Sequence, residues 1–143
     1  MSTISSAIFA IDFDGTIVEH RYPKIGKPVP DAFKSMKELQ AHGARLILYT
    51  MRSGDELNEA IQFCKEQGVE FWGVNSNPQQ ASWTSSPKVY AHRYIDDAAV
   101  GIPLLRSRTV GERPFVDWAT VMTIIRREYG LPIPGEPDRL GPG

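Results

Sequence analysis

The sequence has little of what several classes of protein require. Cys64 is the only cysteine among the 143 residues, so no disulfide can form within it. The net charge of −1 gives no electrostatic sign of general nucleic-acid binding. No apolar run approaches the roughly 20 residues of a membrane-spanning helix, and the start, MSTISSAIFAID, lacks the basic region and long apolar stretch of a signal peptide. The length suits one domain with a core, and these absences predict a location in the cytoplasm, away from membranes.

Four short runs rich in apolar residues are candidate strands, and they lie at 7–11, 45–49, 69–74 and 93–95. Their apolar residues are continuous rather than alternating, which is typical of parallel strands covered on both faces.

Helical patterns separate these runs. The positions that share the apolar face of one predicted helix are Leu57, Ala60, Ile61 and Cys64. A last helix is predicted from Val116, Ala119, Met122 and Ile125, with Gly130 at its end. The alternation predicts an α/β fold over residues 1–130, a doubly wound, mainly parallel, Rossmann-like sheet with helices on both faces. The Pro- and Gly-rich segment 131–143 is predicted to be a separate tail.

Polar residues follow three of the four predicted strands. They are Asp12 and Asp14 after the first, Thr50 and Arg52 after the second, and Asp96 and Asp97 after the fourth. In doubly wound sheets ligands bind beyond the carboxyl ends of the strands, so these side chains indicate a site at that edge.

The acids at this edge would repel one another if all of them were ionised. Two like charges about 4 Å apart repel by about 4 kcal/mol at an effective dielectric constant near 20. Either some carboxyls keep a proton or a cation lies among them, and hard oxygen ligands with open water positions suit Mg²⁺.

Neutral and basic groups complete the predicted set. The hydroxyl of Thr50 and the ammonium of Lys88 could contact phosphate oxygens, and backbone N–H groups near Asp14 and Gly15 could bind further anionic oxygens. A carboxylate nucleophile, a metal, a hydroxyl and a lysine are the parts needed to transfer a phosphoryl group through an aspartyl-phosphate.

Four segments in order resemble the motifs of the haloacid dehalogenase superfamily of phosphohydrolases. The first is AIDFDGTIV, which matches the family's strand followed by Asp-x-Asp-Gly-Thr. The second is LILYT, a strand that ends in threonine, and the third is the basic residue of SSPKVY. The fourth is YIDDAAVG, a strand followed by paired acids. The resemblance covers about residues 7–129.

The resemblance implies a role for each matching residue. Asp12 would be the nucleophile and Asp14 the general acid and base. Thr50 and Lys88 would bind the phosphoryl oxygens. The implied Mg²⁺ ligands are Asp12, the backbone carbonyl of Asp14, Asp96 and, directly or through water, Asp97. Gly15 would permit the turn behind the nucleophile, Thr16 would close or cap that turn, and Arg52 is a candidate second anion contact.

Neither place where this family inserts a cap domain has room for one. Residues 16–30 suffice for a small flap, and residues 75–87 are too few for a domain. The sequence therefore resembles the capless type, whose open site admits a small or macromolecular phosphorylated substrate or is covered by a second subunit. The substrate and the oligomeric state stay open.

Other functions remain alternatives to a phosphatase. A dehalogenase is disfavoured because its chemistry needs no Mg²⁺ and usually no second aspartate, and a phosphomutase normally needs a cap. A module of another class, which binds a metal or an anion without turnover, is disfavoured by the completeness of the set that includes Asp12, Lys88 and Asp96.

Overall fold

The computed structural model describes residues 3–133, so most of the predicted tail, 131–143, lies outside the described residues. The described residues form strands β1 (Ile8–Ile11), β2 (Arg45–Leu48), β3 (Gly73–Val74), β4 (Arg93–Ile95), β5 (Leu104–Leu105) and β6 (Phe115–Val116). They also form helices α1 (Ala32–Ala41), α2 (Gly54–Glu66) and α3 (Trp118–Tyr129), and a 3₁₀ turn at Gln80–Ser82.

Four of the strands form one parallel sheet in the order β3-β2-β1-β4, and β5 and β6 form a separate antiparallel pair. In the sheet Ile11 is opposite Leu48 on one side and Ile95 on the other. This register brings the carboxyl ends of β1, β2 and β4 to a single edge. The α/β class predicted from the sequence is confirmed, and residues 3–133 contain no separate cap domain.

The helices cover one face of the sheet. Phe9, Ile11, Leu46 and Leu48 project from this face and are fully buried. The buried apolar residues of all three helices belong to the same cluster, and they include Met36, Leu39, Ala60, Cys64, Trp118 and Met122. Hydrophobic burial on this face provides the main core of the domain.

The opposite face is covered differently from the prediction of helices on both faces. Ile8, Ala10 and Ile47 pack there against Val89 and Ala91, which belong to the connection between β3 and β4. Side chains in this connection form hydrogen bonds with nearby backbone groups. The side chain of Asn77 accepts the N–H of Gln79, and the hydroxyl of Thr84 accepts the N–H of Ser86. Such bonds compete with helix formation, so the connection holds only a 3₁₀ turn.

Two predicted boundaries also differ. The run 69–74 provides only the short strand β3, and Val116 belongs to β6 rather than to the last helix. Helix α3 begins after Asp117, whose carboxylate accepts the N–H of Thr120, and ends at Gly130 in the left-handed conformation.

Within residues 3–133, no helix combines the length and apolar character that crossing a bilayer requires.

Candidate functional site

Three carboxylates meet at the carboxyl edge of the sheet. Asp12 follows β1, and Asp96 and Asp97 follow β4, the neighbouring strand. Each offers one carboxylate oxygen to a group in which all three atoms lie within 4.8 Å of one another. The backbone fixes this arrangement, because the N–H of Asp12 donates to the carbonyl of Ile95 at 3.0 Å. We name Asp12, Asp96 and Asp97 the acid cluster.

Thr16 connects the two halves of the acid cluster. Its hydroxyl donates to Oδ2 of Asp12 at 3.0 Å and accepts the backbone N–H of Asp97 at 3.1 Å. The residue is completely buried, and its carbonyl accepts the indole N–H of Trp118 at 2.7 Å. The sequence suggested only that Thr16 closes or caps a turn, because the partner at residue 97 lies 81 positions away.

The electrostatics of the cluster centre on Asp12. Burial raises the pKa of Asp12 from 3.8 to about 8, and the charge of Asp96 and a hydrogen bond with Asp97 act in the same direction. The hydroxyl of Thr16 opposes this rise by donating to the carboxylate. Without a nearby cation, Asp12 therefore keeps a proton near neutral pH. Carboxylate oxygens at this spacing suit a hard divalent cation, which would remove the cause of that protonation.

Asp14 lies outside the acid cluster and is held by Arg52. Nε of Arg52 donates to one oxygen of Asp14 and Nη2 donates to the other, both at 2.8 Å. This two-pronged pair raises the pKa of Arg52. The prediction that Asp14 provides a free acid or base at the site therefore does not describe this conformation. A metal ligand from Asp14 would have to be its backbone carbonyl, as the resemblance implies.

Arg52 is not positioned to contact a substrate, which corrects the prediction of an anion-binding role. It is only 2% exposed and lies between the rings of Phe13 and Tyr22. Its remaining N–H groups donate to the carbonyls of Pro23, Lys24 and Glu56, so all five donors are used. Arg52 thus ties the turn after β1, the predicted flap and the start of α2 together.

Thr50 and Lys88, the two predicted phosphate-binding residues, do not contact the same groups. The hydroxyl of Thr50 accepts the N–H of Arg52 at 3.1 Å, and its own proton is available for another acceptor. Nζ of Lys88 lies 5.9 Å from the centre of the Tyr94 ring. In the described part of the chain, Lys88 forms no ion pair with the acid cluster. The structure therefore does not bring Lys88 into direct contact with Asp12.

Gly15 and His20 form a close contact on the other side of the acid cluster. Gly15 has a φ of +86°, and a Cβ there would collide with the His20 ring and the Asp97 carboxylate. Nε2 of His20 lies 3.0 Å from Oδ2 of Asp97. The predicted anion contact by the Gly15 N–H is not present, because this group donates to the carbonyl of Val18.

His20 is a site residue that the sequence placed only in a charged flap. The segment 18–28 closes on itself, with Val18 bridged to Pro28 and the N–H of Glu19 donating to Lys27. We name residues 18–28 the flap. No local pattern marks His20, because its partner Asp97 is 77 positions away.

The chain matches no protein-family model and no curated protein. It is similar to a solved structure described as the conserved protein coded by a locus from Bacteroides thetaiotaomicron. The two chains are 39% identical over 87% of this chain and 93% of that one, with a TM-score of 0.69. At this identity and coverage, the chain belongs to the same family as that conserved Bacteroides protein.

Proposed function

We propose that the protein is a magnesium-dependent phosphatase that hydrolyses a phosphate monoester through an aspartyl-phosphate on Asp12. The observation that supports this most is the meeting of Asp12 with Asp96 and Asp97 at the carboxyl edge of a parallel sheet. Burying one carboxylate among others does not stabilise the fold, because each buried charge costs desolvation energy. The same arrangement suits a nucleophile beside a cation.

The donor set fits Mg²⁺. The side chains of Asp12, Asp96 and Asp97 would hold the ion, together with the backbone carbonyl of Asp14 that the resemblance implies. The ion would neutralise the cluster and polarise a phosphoryl oxygen. A bound cation would also keep Asp12 ionised, which its attack on phosphorus requires.

The chain's own residues carry the two steps. An oxygen of Asp12 bonds to phosphorus while the bond to the leaving oxygen breaks, and a proton passes to that oxygen. Water then attacks the phosphorus of the aspartyl-phosphate, loses a proton, and restores Asp12 as phosphate leaves. Thr16 holds Asp12 in place through its hydroxyl. Thr50 and Lys88 would bind the phosphoryl oxygens once substrate is present.

Asp14 can act as the acid and base only after its carboxylate leaves Arg52. Both of its oxygens accept hydrogen bonds from the guanidinium, so neither can reach the acid cluster in this conformation. We therefore propose that Asp14 turns towards the acid cluster when substrate binds. Arg52 would keep its contacts with the flap and with α2 during this movement.

A screen of phosphate esters with Mg²⁺ tests the proposed function. The panel contains an aryl phosphate, sugar phosphates and nucleoside monophosphates, and each is assayed for released phosphate. We expect Mg²⁺-dependent turnover that Asp12→Asn abolishes, since the amide cannot be phosphorylated. Turnover that persists in Asp12→Asn, or in the presence of a chelator, would contradict the proposal.

A module that binds a metal and an anion without turnover is the second candidate. Two observations favour it: Arg52 occupies both oxygens of Asp14, and Lys88 forms no ion pair with the acid cluster. Mg²⁺ binding by calorimetry, together with no phosphate release from any ester of the panel, would support this candidate over the phosphatase.

The location and the partners are also proposals. A cytoplasmic location is supported by the single cysteine, Cys64, which is buried and whose thiol pKa burial raises to about 12. A phosphorylated small molecule or macromolecule is the proposed substrate, and association with a second copy of the chain stays open.

A further inference from the structure

We propose that the loop between β5 and β6 binds a second phosphate group of the substrate, so that the preferred substrate carries two phosphates. We name residues 106–113 the arginine loop. The proposal rests on the proposed phosphatase function and specifies its substrate class.

The arginine loop carries positive charge that no acid among residues 3–133 pairs with. It contains Arg106, Arg108 and Arg113 against one acid, Glu112. The carboxylate of Glu112 is already engaged by Arg21 at 2.6 Å. Within residues 3–133 none of the three loop arginines forms an ion pair, although the chain as a whole has a net charge of −1. Among the described residues, the three guanidinium groups have no acidic partner and can contact an external anion.

The loop surrounds a cavity with the donors that a phosphate requires. The cavity measures about 630 Å³, and its lining includes Arg106, Ser107, Arg108 and Thr109. The hydroxyl of Ser107 accepts the N–H of Thr109 and can still donate its own proton. Two guanidinium forks and two hydroxyls match a dianion with three exposed oxygens better than a carboxylate with two.

Two contacts attach the arginine loop to the proposed catalytic site. Val116, which follows the loop in β6, donates its N–H to the carbonyl of Gly15 at 3.0 Å. Glu112 pairs with Arg21 of the flap, and the neighbouring His20 contacts Asp97 of the acid cluster. The loop and the acid cluster thus flank the same flap. A substrate with its reacting phosphate at Asp12 could place a second phosphate in the loop.

A pair of matched substrates tests the proposal. The probes are a sugar bisphosphate and the corresponding monophosphate, assayed with Mg²⁺ in the wild type and in Arg106→Gln/Arg108→Gln. We expect kcat/KM in the wild type to favour the bisphosphate by about tenfold or more, as charge-assisted hydrogen bonds imply. In the loop variant this ratio should fall towards one, and raised salt should lower it in the wild type.

The control is Lys37→Gln/Arg127→Gln, which removes the same charge at two exposed positions elsewhere. A ratio that the loop variant leaves unchanged, or that the control lowers equally, would overturn the proposal. A monophosphate with a carboxylate in place of the second phosphate separates the anion types, and an equal preference for it would overturn the assignment to phosphate.

Failure of the phosphatase proposal can be distinguished from failure of the anion site in the arginine loop. If no ester of the phosphate panel is hydrolysed, the phosphatase proposal fails, and titration with inorganic pyrophosphate without Mg²⁺ tests the loop by itself. Weaker pyrophosphate binding by the loop variant than by the control would support the anion site, and equal binding would overturn it.

Discussion

At the scale of single residues, Asp12 is the group of the acid cluster whose pKa is shifted most clearly. Its environment favours the protonated form, and only the hydroxyl of Thr16 favours the ion. A nucleophile must be ionised, so in the proposed mechanism the metal-free and the metal-bound protein differ in the protonation of Asp12.

The pH dependence of stability should reveal this protonation. The folded-state pKa of Asp12 is about 8, above its ordinary 3.8, so between these values the folded chain binds a proton that the unfolded chain lacks. We expect this contribution to be present below pH 4 and to be lost as pH rises through 8, by at most about 1.4 kcal/mol per pH unit. Urea unfolding of metal-free protein measures it, with Asp12→Asn as the control.

The stabilisation by Mg²⁺ should increase with pH, whereas the contribution of the Asp12 proton decreases with pH. Because the metal binds ionised carboxylates, we expect Mg²⁺ to raise the melting temperature more at pH 8 than at pH 5. An equal rise at both values, or a rise retained in Asp12→Asn, would contradict the assignment of Asp12 as a ligand.

Thr16 should matter through its hydroxyl rather than its shape. Thr16→Val keeps the volume but leaves the Asp97 N–H without its acceptor, and we expect it to destabilise the protein by about 1–3 kcal/mol. Thr16→Ser keeps the hydroxyl and serves as the control. Denaturant unfolding measures both, and an equal loss in the two variants would contradict the role of the hydroxyl.

Arg52 and Asp14 should behave as a coupled pair. Removing one partner leaves a charge without compensation, so Arg52→Met should cost about 3–5 kcal/mol. Adding Asp14→Asn to Arg52→Met should cost less than the sum of the single changes. A double-mutant cycle by urea unfolding measures the coupling, and additive losses would show that the two groups do not stabilise each other.

These residues also show what sequence reasoning could and could not find. Asp12 and Asp96 could be placed together because each ends a parallel strand, and strand ends share an edge. Arg52 also follows a strand, but its burial depends on Asp14 and on carbonyls of the flap, which no local pattern links to it. Predicting that a guanidinium is enclosed requires the tertiary structure.

At the scale of elements, the periodic segments were predictable and the irregular ones were not. Strand β1 lies within the predicted apolar run 7–11, and helix α2 contains all four positions that were predicted to share an apolar face. The pair β5–β6 has two residues in each strand, too few for a pattern. The flap and the β3–β4 connection owe their shape to distant contacts and local side-chain bonds, which periodicity does not report.

The fit of the flap against the acid cluster can be tested at Gly15. Gly15→Ala should displace His20 and Asp97, lower the affinity for Mg²⁺ and destabilise the protein. Gly101→Ala is the matched control, because Gly101 has a φ of +89° but open space around its missing Cβ. The control should cost only the backbone strain, about 1–2 kcal/mol. Calorimetry with Mg²⁺ measures the difference, and equal affinities would exclude a crowded contact.

At the scale of the whole molecule, opposite charges occupy separate parts of one small domain. The acid cluster lies at the sheet edge, the arginine loop lies beyond β5, and the flap contacts both through His20 and Arg21. The helices cover one face of the sheet and share a hydrophobic core with it. The fold therefore presents the proposed cation site and the proposed anion site without a separate cap domain among residues 3–133.

Trapping of a covalent intermediate is the most direct test of whether Asp12 is phosphorylated during turnover. The protein is mixed with Mg²⁺ and a phosphate ester that it hydrolyses. The reaction is quenched, and the protein is reduced with borohydride and analysed by peptide mass spectrometry. We expect homoserine at position 12, the reduction product of an aspartyl-phosphate, and none in Asp12→Asn or without substrate. Turnover with an unmodified Asp12, or homoserine at another aspartate, would contradict it.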